Sequence, residues 1–213
     1  MNKEIIGIQK EGQSPDSIKR MALAAFKELN LPGNLYVADI GAGKGELLHY
    51  IEEYCKEITL VDDFDPQINS EKVNFIRANL NEDWNIKPGI FDFVFSLEVI
   101  EHIENPRYFI RQIKHILKPG GYAYISTPNN LNIFSRINFL LKGEHRYFQD
   151  SCYPAHISCI TKVDMKRIVS ENDLTMVGYY YNYEDVVPLL GIKLKLPLKI
   201  FSNSAGFLIY KSE

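Results

Sequence analysis

The chain has 213 residues, with 24 Lys and Arg against 27 Asp and Glu for a formal net charge of −3, so it suits one domain with its own core and lacks the basic surplus of a protein that grips nucleic acid. Three cysteines, Cys55, Cys152 and Cys159, without C-x-x-C spacing, read as reduced packing residues rather than a disulfide or zinc framework. Met1-Asn2-Lys3-Glu4 opens without the apolar run of a signal peptide, and no stretch approaches the ~20 apolar residues of a membrane span, so a cytoplasmic protein is expected.

In chain order, residues to about Pro15 read as a polar arm. Ser17 to Leu29 repeats Ile18, Met21, Ala22, Ala25 and Leu29 at helical spacing, with Asp16 as the expected cap. Leu35 to Ile40 is a short buried strand. A glycine turn follows, then a helix with apolar positions Leu47, Leu48, Ile51, Tyr54 and Cys55. Strands are expected at Glu57 to Val61, Val73 to Ile76, Phe91 to Ser96 and Tyr122 to Ser126. Asn105-Pro106 opens a helix with Phe109, Ile110, Ile113 and Leu117 on its apolar stripe, and Lys118-Pro119-Gly120-Gly121 stops it. Thr161 to Glu171 returns as a helix, tyrosines 179, 180, 181 and 183 follow a sixth strand, and Gly206 to Tyr210 is the last strand. Alternating strands and helices of this kind predict an α/β sheet.

The turn after the first strand identifies the ligand class. A dinucleotide fingerprint, G-x-G-x-x-G, requires glycine at position 46, where the chain has Glu46. Asp39, just before the turn, would repel a pyrophosphate but can hold an ammonium or a hydroxyl. The pattern favours a cationic ligand without phosphates.

Asp39 to Gly45 reads D-x-G-x-G-x-G, and with this motif the chain resembles the class I S-adenosylmethionine-dependent methyltransferases. L-K-P-G-G followed by a strand and S-T-P-N is similar to the branch of quinone-biosynthesis O-methyltransferases and bacterial sugar methyltransferases. The resemblance implies a Rossmann-like, seven-stranded, mainly parallel sheet with an antiparallel last strand and helices on both faces. It divides a single domain, 1–213, into an arm and helix (1–32), a cofactor core (33–130), an acceptor-covering insertion (131–160) and C-terminal helix and strands (161–213). It implies S-adenosylmethionine held by Asp39, Gly41, Ala42, Gly43 and Gly45 at the turn, by Asp62 and Asp63 at the ribose, and by Asn79, Leu80 and Leu97 around the base. Asn79 stands where the family usually has Asp, and its amide oxygen still accepts a hydrogen bond. Phe64 packs either on the adenine or in the core.

Glu98, Glu101 and His102 stand three and four residues apart at the end of the fourth strand, and a helical turn beginning there would point all three the same way. This E-x-x-E-H is similar to a metal-ligand motif of small-RNA 2′-O-methyltransferases, where a downstream histidine completes the site; His156 is the candidate here. Glu98, Glu101, His102 and His156 would suit Mg²⁺, Mn²⁺ or Zn²⁺. Two readings stand beside it: His102 or His156 as a metal-free general base next to Glu101, or a structural role for the whole cluster.

Within the insertion, Ile133, Phe134, Ile137, Phe139, Leu140 and Leu141 suggest an apolar helix, while His145 lies in a polar, solvent-facing stretch. From 186 to 201, Ile192, Leu194, Leu196, Leu198 and Ile200 alternate with Lys193, Lys195, Pro197 and Lys199. Such a ribbon reads as a hairpin arm or dimer contact, or as a weak contact with a membrane surface or lipid-linked acceptor. The expected activity is O-methylation of a small-molecule acceptor such as a sugar or a lipid-linked phenol. The alternatives are a non-catalytic S-adenosylmethionine-binding regulator and a nicotinamide-dependent oxidoreductase.

Overall fold

The structure, a computed structural model, describes residues 14–182 and 199–213. Apolar runs between glycine and proline breaks build β1 (Leu35–Ile40), β2 (Cys55–Asp62), β3 (Val73–Arg77), β4 (Phe91–Leu97), β5 (Leu117–Pro128), β6 (Thr175–Tyr181) and β7 (Ser204–Tyr210). Among the described residues these form one seven-stranded sheet in the order β3-β2-β1-β4-β5-β7-β6. β7 runs antiparallel to both β5 and β6, and the other pairings are parallel. The reversal of strand order beside β1 brings the carboxyl ends of β1, β2 and β4 to one edge, where open sheets bind ligands.

Both faces are covered because alternate residues of the central strands point to opposite sides. Phe93 and Phe95 of β4 lie on one face with Tyr124, under Ile18, Met21, Ala22, Ala25 and Phe26 of α1 (Asp16–Glu28). Val94 points the other way, toward Phe109, Ile110, Ile113 and Ile116 of α3 (Pro106–Ile116) and Ile168 and Val169 of α5 (Lys162–Glu171). Each buried phenylalanine contributes about 2–3 kcal/mol by leaving water. Helix α3 begins as its sequence requires, with the Asn105 side chain accepting from Tyr108 N and Pro106 at the first position. Thr161 and Asp164 close a reciprocal capping box on α5.

Several boundaries differ from the sequence expectation. The helix after the glycine turn, α2, is a single turn at Leu48–Ile51 followed by a 3-10 turn at Glu52–Tyr54, and Cys55 already belongs to β2. Cys55 pairs with Leu35, so the sheet register claims it before helical periodicity can continue. Asp16 is not the cap of α1. Pro15 holds that place without a side-chain cap bond, and the Asp16 carboxylate lies in the first turn, 3.5 Å from Lys19 Nζ.

β5 starts five residues earlier than its apolar core indicates. Gly120 N donates to Lys211 O at 2.9 Å and Lys211 N to Gly121 O at 3.0 Å, so the helix stop is drawn into the sheet. β6 contains Tyr179, Tyr180 and Tyr181 rather than preceding them. Residues 186–198 of the alternating ribbon, Tyr183 and the arm through residue 13 lie outside the described residues, while Lys199–Phe201 forms a 3-10 turn. No helix among the described residues is long and apolar enough to cross a membrane.

Candidate active site

The turn between β1 and α2 depends on glycine for steric reasons. Gly41 has φ +77°, and a Cβ there would meet Val99 Cγ2 at 2.3 Å; Gly45 has φ +71°, and a Cβ would meet Ile68 Cδ1 at 2.4 Å. A side chain would be strained by backbone and neighbour alike. Ala42 sits between them, packed against the apolar cluster under α1. Gly43, also at positive φ, donates its N–H to Asp62 Oδ2 at 2.7 Å, so the acid ending β2 is tied to the turn after β1. The other Asp62 oxygen accepts from Asp63 N at 2.8 Å and Phe64 N at 3.3 Å.

Asp39 lies beneath this turn, 4% exposed, between Leu60 of β2 and Phe95 of β4. Burial, reinforced by the neighbouring Asp62 charge, pushes its carboxyl up to about 7. A buried acid held this way gains most from a cation, and the amino group of an amino-acid-like ligand would supply one.

Lys19 of α1 is a residue the periodicity reading left unassigned. It is 6% exposed, and its ammonium is paired with Glu46 and Asp16. Burial alone would lower its pKa, and these two acids more than offset that and raise it. Glu46 is thereby fixed as the partner of the covering helix.

The base-contact candidates are spread along the same edge. Asn79 is exposed, its amide turned locally to Asn81 N at 3.1 Å and Glu82 at 2.8 Å. Leu80 packs partly into the core, and Leu97 is buried. Phe64 is 57% exposed, which removes the core reading and leaves an open aromatic face beside Asp62. Lys44 is exposed.

The acidic and imidazole cluster is divided differently from its spacing. Glu98 has φ +56°, and the 3-10 turn that follows covers Ile100–His102, so Glu98 stands before the turn and points elsewhere. Its carboxylate accepts from Ser126 Oγ at 2.7 Å and Ser204 Oγ at 2.6 Å. Burial pushes it up to about 7 against the lowering effect of those two hydroxyls.

Glu101, His102 and His156 do come together, with one ligand atom from each lying within 4.8 Å of the others. Glu101 is 1% exposed and accepts from Thr127 Oγ1 at 3.1 Å. Burial, and then the Glu98 charge, hold its carboxyl well above the usual range. Its main-chain carbonyl accepts from Ile157 N and Ser158 N, both at 2.9 Å, which anchors the segment carrying His156.

The two rings lie 4.8 Å apart at 72°. His102 Nδ1 is 2.7 Å from Ala155 O and His156 Nδ1 is 2.7 Å from Tyr147 O. A carbonyl only accepts, so each Nδ1 carries a proton, and the donor atom either ring would offer a metal or a substrate is Nε2. This second-sphere arrangement is the one that metal-binding histidines use, and three donors of O, N, N type fit a divalent cation. His145, by contrast, is not solvent-facing: it stacks on Phe139 at 4.9 Å and contacts Ser135 Oγ at 3.1 Å.

A family model described as a methyltransferase domain matches residues 11–178, and the chain belongs to this family, that of the class I S-adenosylmethionine-dependent methyltransferases. A mitochondrial ubiquinone biosynthesis O-methyltransferase of Dictyostelium discoideum is 38% identical over 120 residues, covering 56% of this chain and 36% of that protein. The ubiquinone biosynthesis O-methyltransferase of Xylella fastidiosa is 27% identical over 150 residues, 62% of this chain and 60% of its own. The matches thus span between about a third and three fifths of these relatives. A solved structure of a SAM dependent methyltransferase from Archaeoglobus fulgidus superposes with a TM-score of 0.67 at 19% identity, over 99% of this chain and 100% of that one, and shares the fold. The nicotinamide alternative does not survive: the family is a methyltransferase family, and position 46 holds the acid that Lys19 grips.

Proposed function

We propose that the chain transfers the methyl group of S-adenosylmethionine to a hydroxyl oxygen of a small molecule. The observation that carries this reading is the imidazole pair, His102 and His156, each with Nδ1 held by a main-chain carbonyl, beside the buried acid Glu101. Asp39 receives the donor's ammonium, Asp62 the ribose hydroxyls with Asp63 beside it, the glycines at 41, 43 and 45 and Ala42 allow close approach, and Asn79, Leu80 and Leu97 border the base. Relatives named as ubiquinone biosynthesis O-methyltransferases support a phenol-type acceptor.

Transfer is an in-line displacement at the methyl carbon. The carbon–sulfur bond breaks, the carbon–oxygen bond forms, and the sulfonium charge disappears as neutral S-adenosylhomocysteine leaves. The acceptor hydroxyl must lose its proton, and an Nε2 of the imidazole pair takes it. Glu101, held by Thr127, stabilises the imidazolium that results. A divalent cation held by Glu101, His102 and His156 would lower the pKa of a hydroxyl bound there. Thr127 and the Ile157–Ser158 amides keep Glu101 and the His156 segment in register, so acceptor and donor meet in line.

The three cysteines are free and the pattern fits a reducing compartment, so we place the protein in the cytoplasm. Labelled S-adenosylmethionine with a panel of catechols, phenols and sugars tests the reading. Label transferred to oxygen in the native chain, and lost in His102→Ala and His156→Ala, is the expected result. Binding of the donor with no transfer to any acceptor would instead favour a regulator.

A further inference from the structure

Helix α4 (Ile133–Lys142) is mostly apolar, yet the side chain it buries is a serine. Asn132 caps the helix, accepting from Ser135 N at 2.8 Å, and its own amide donates to Asn129 O at 2.9 Å, which ties the start of α4 to the residue after β5. Ser135 is 0% exposed. A hydroxyl buried to that degree needs its hydrogen bonds made, and it offers one donor and two acceptor positions. Ser135 spends them on the segment that leaves the helix: its Oγ accepts from Arg146 N at 3.2 Å and lies 3.1 Å from His145 Nδ1.

That segment leads to His156. His145 also stacks on Phe139 at 4.9 Å, and its carbonyl accepts from Phe148 N at 2.9 Å, which closes a turn over 145–148. Within this turn the Tyr147 carbonyl lies 2.7 Å from His156 Nδ1, and the Phe148 ring lies 5.5 Å from the imidazole. The main chain at His156 is secured elsewhere: His156 N donates to Cys152 O at 3.0 Å, and the next two amides donate to the Glu101 carbonyl. The two supports are therefore separate. Backbone bonds place the residue, and the turn pinned by Ser135 sets the direction of its ring.

We propose that Ser135 is a positioning residue for His156: through His145 and Arg146 it holds the Tyr147 carbonyl where it keeps a proton on Nδ1 and leaves Nε2 available. A ring aimed by an outer hydrogen-bond partner depends on whatever fixes that partner, and here the fixing group is one buried hydroxyl on the insertion helix. The expected effect on turnover rests on the methyl-transfer reading, whereas the orientation of the ring does not.

The test is nuclear magnetic resonance of the full chain, native and Ser135→Ala, at about pH 9, where a free imidazole is neutral. Ring nitrogen shifts, read through the carbon-bound protons and assigned with His156→Ala, report which nitrogen of His156 carries the proton. The native ring is expected to be protonated at Nδ1, and Ser135→Ala is expected to move most of the population to Nε2. In methyl transfer the same variant is expected to lower kcat about tenfold, the lower end of what loss of an outer partner costs, with S-adenosylhomocysteine binding within about twofold. His145→Phe keeps the stack on Phe139 and removes the nitrogen, and it carries the same expectation for the ring should the alanine variant fold poorly. An unmoved proton on His156, with only the melting temperature lowered, makes Ser135 structural alone and overturns the proposal. So does a native ring protonated at Nε2. A moved proton with kcat unchanged supports the proposal and instead removes His156 from the reaction, so the two readings fail separately.

Discussion

His102 and His156 meet ring to ring at 4.8 Å, although one follows β4 and the other lies in the loop between α4 and α5, and a main-chain carbonyl accepts from Nδ1 of each. The loop carrying His156 is anchored by the Glu101 carbonyl, which accepts two of its amides. The acid and the two imidazoles are therefore tied into one unit by the backbone.

That unit gives the first prediction. His102→Ala and His156→Ala each should lower kcat by about 10²- to 10⁴-fold, the range of general acid–base contributions. Neither ring is among the residues assigned to the donor, so calorimetry should find S-adenosylhomocysteine binding within about twofold of the native chain. A large loss of cofactor affinity with kcat preserved would contradict the assignment.

The donor set gives the second. Glu101 is buried beside Glu98, another carboxylate raised by burial, and a cation bound by Glu101, His102 and His156 would offset that crowding. Mg²⁺, Mn²⁺ or Zn²⁺ at about a hundred times its Kd should stabilise the native chain by about 2.7 kcal/mol, raising its melting temperature by about 5–10 °C. Glu101→Gln should abolish the rise. If no ion moves the native melting curve, the metal reading falls and the imidazole pair stands as a metal-free base.

How much of this was legible in the sequence depends on the range of the interactions. Leu35–Ile40 was readable to the residue because a buried strand flanked by glycine and polar breaks needs nothing distant to define it. Cys55 was not, because its helical spacing was overridden by pairing with Leu35. Glu98 was grouped with Glu101 and His102 on the assumption of one helical turn, and a left-handed glutamate, which local propensity disfavours, removed it. Ser204, Thr127 and Lys19 hold acids that lie far from them in the chain, and only the fold brings such pairs together. The D-x-G-x-G-x-G turn was legible because its chemistry is contained within seven residues.

Asp39 gives a pH dependence with a definite sign. Its carboxyl is pushed up to about 7 in the folded chain, whereas an unfolded aspartate titrates near about 4. Between those values the folded state binds the extra proton, so unfolding free energy falls as pH rises from about 4 to about 7 and levels off above. The full drop is on the order of a few kcal/mol for a wholly buried group. Denaturant titrations across this range should show the slope flattened in Asp39→Asn. With Asp39 proposed to receive the ligand's ammonium, binding of S-adenosylhomocysteine should tighten with pH by up to tenfold per unit below about 7, and that gain should vanish in the variant. A variant with the native slope would show that another group is responsible.

Gly41 and Gly143 both have φ of +77°, yet a Cβ at Gly41 meets Val99 at 2.3 Å while a Cβ at Gly143 meets nothing within 4 Å. The pair therefore separates backbone strain from collision. Gly143→Ala should cost about 1 kcal/mol, the strain of a left-handed alanine. Gly41→Ala adds overpacking and should cost about 2–4 kcal/mol in total. Val99 immediately precedes the turn that carries Glu101 and His102, so the displaced valine should also disturb the imidazole pair. Gly41→Ala is thus expected to lower both cofactor affinity and kcat, while Gly143→Ala leaves both within about twofold. Equal losses of stability and activity in the two variants would mean that the collision with Val99 is relieved without moving the turn, and that the glycine there serves conformation alone.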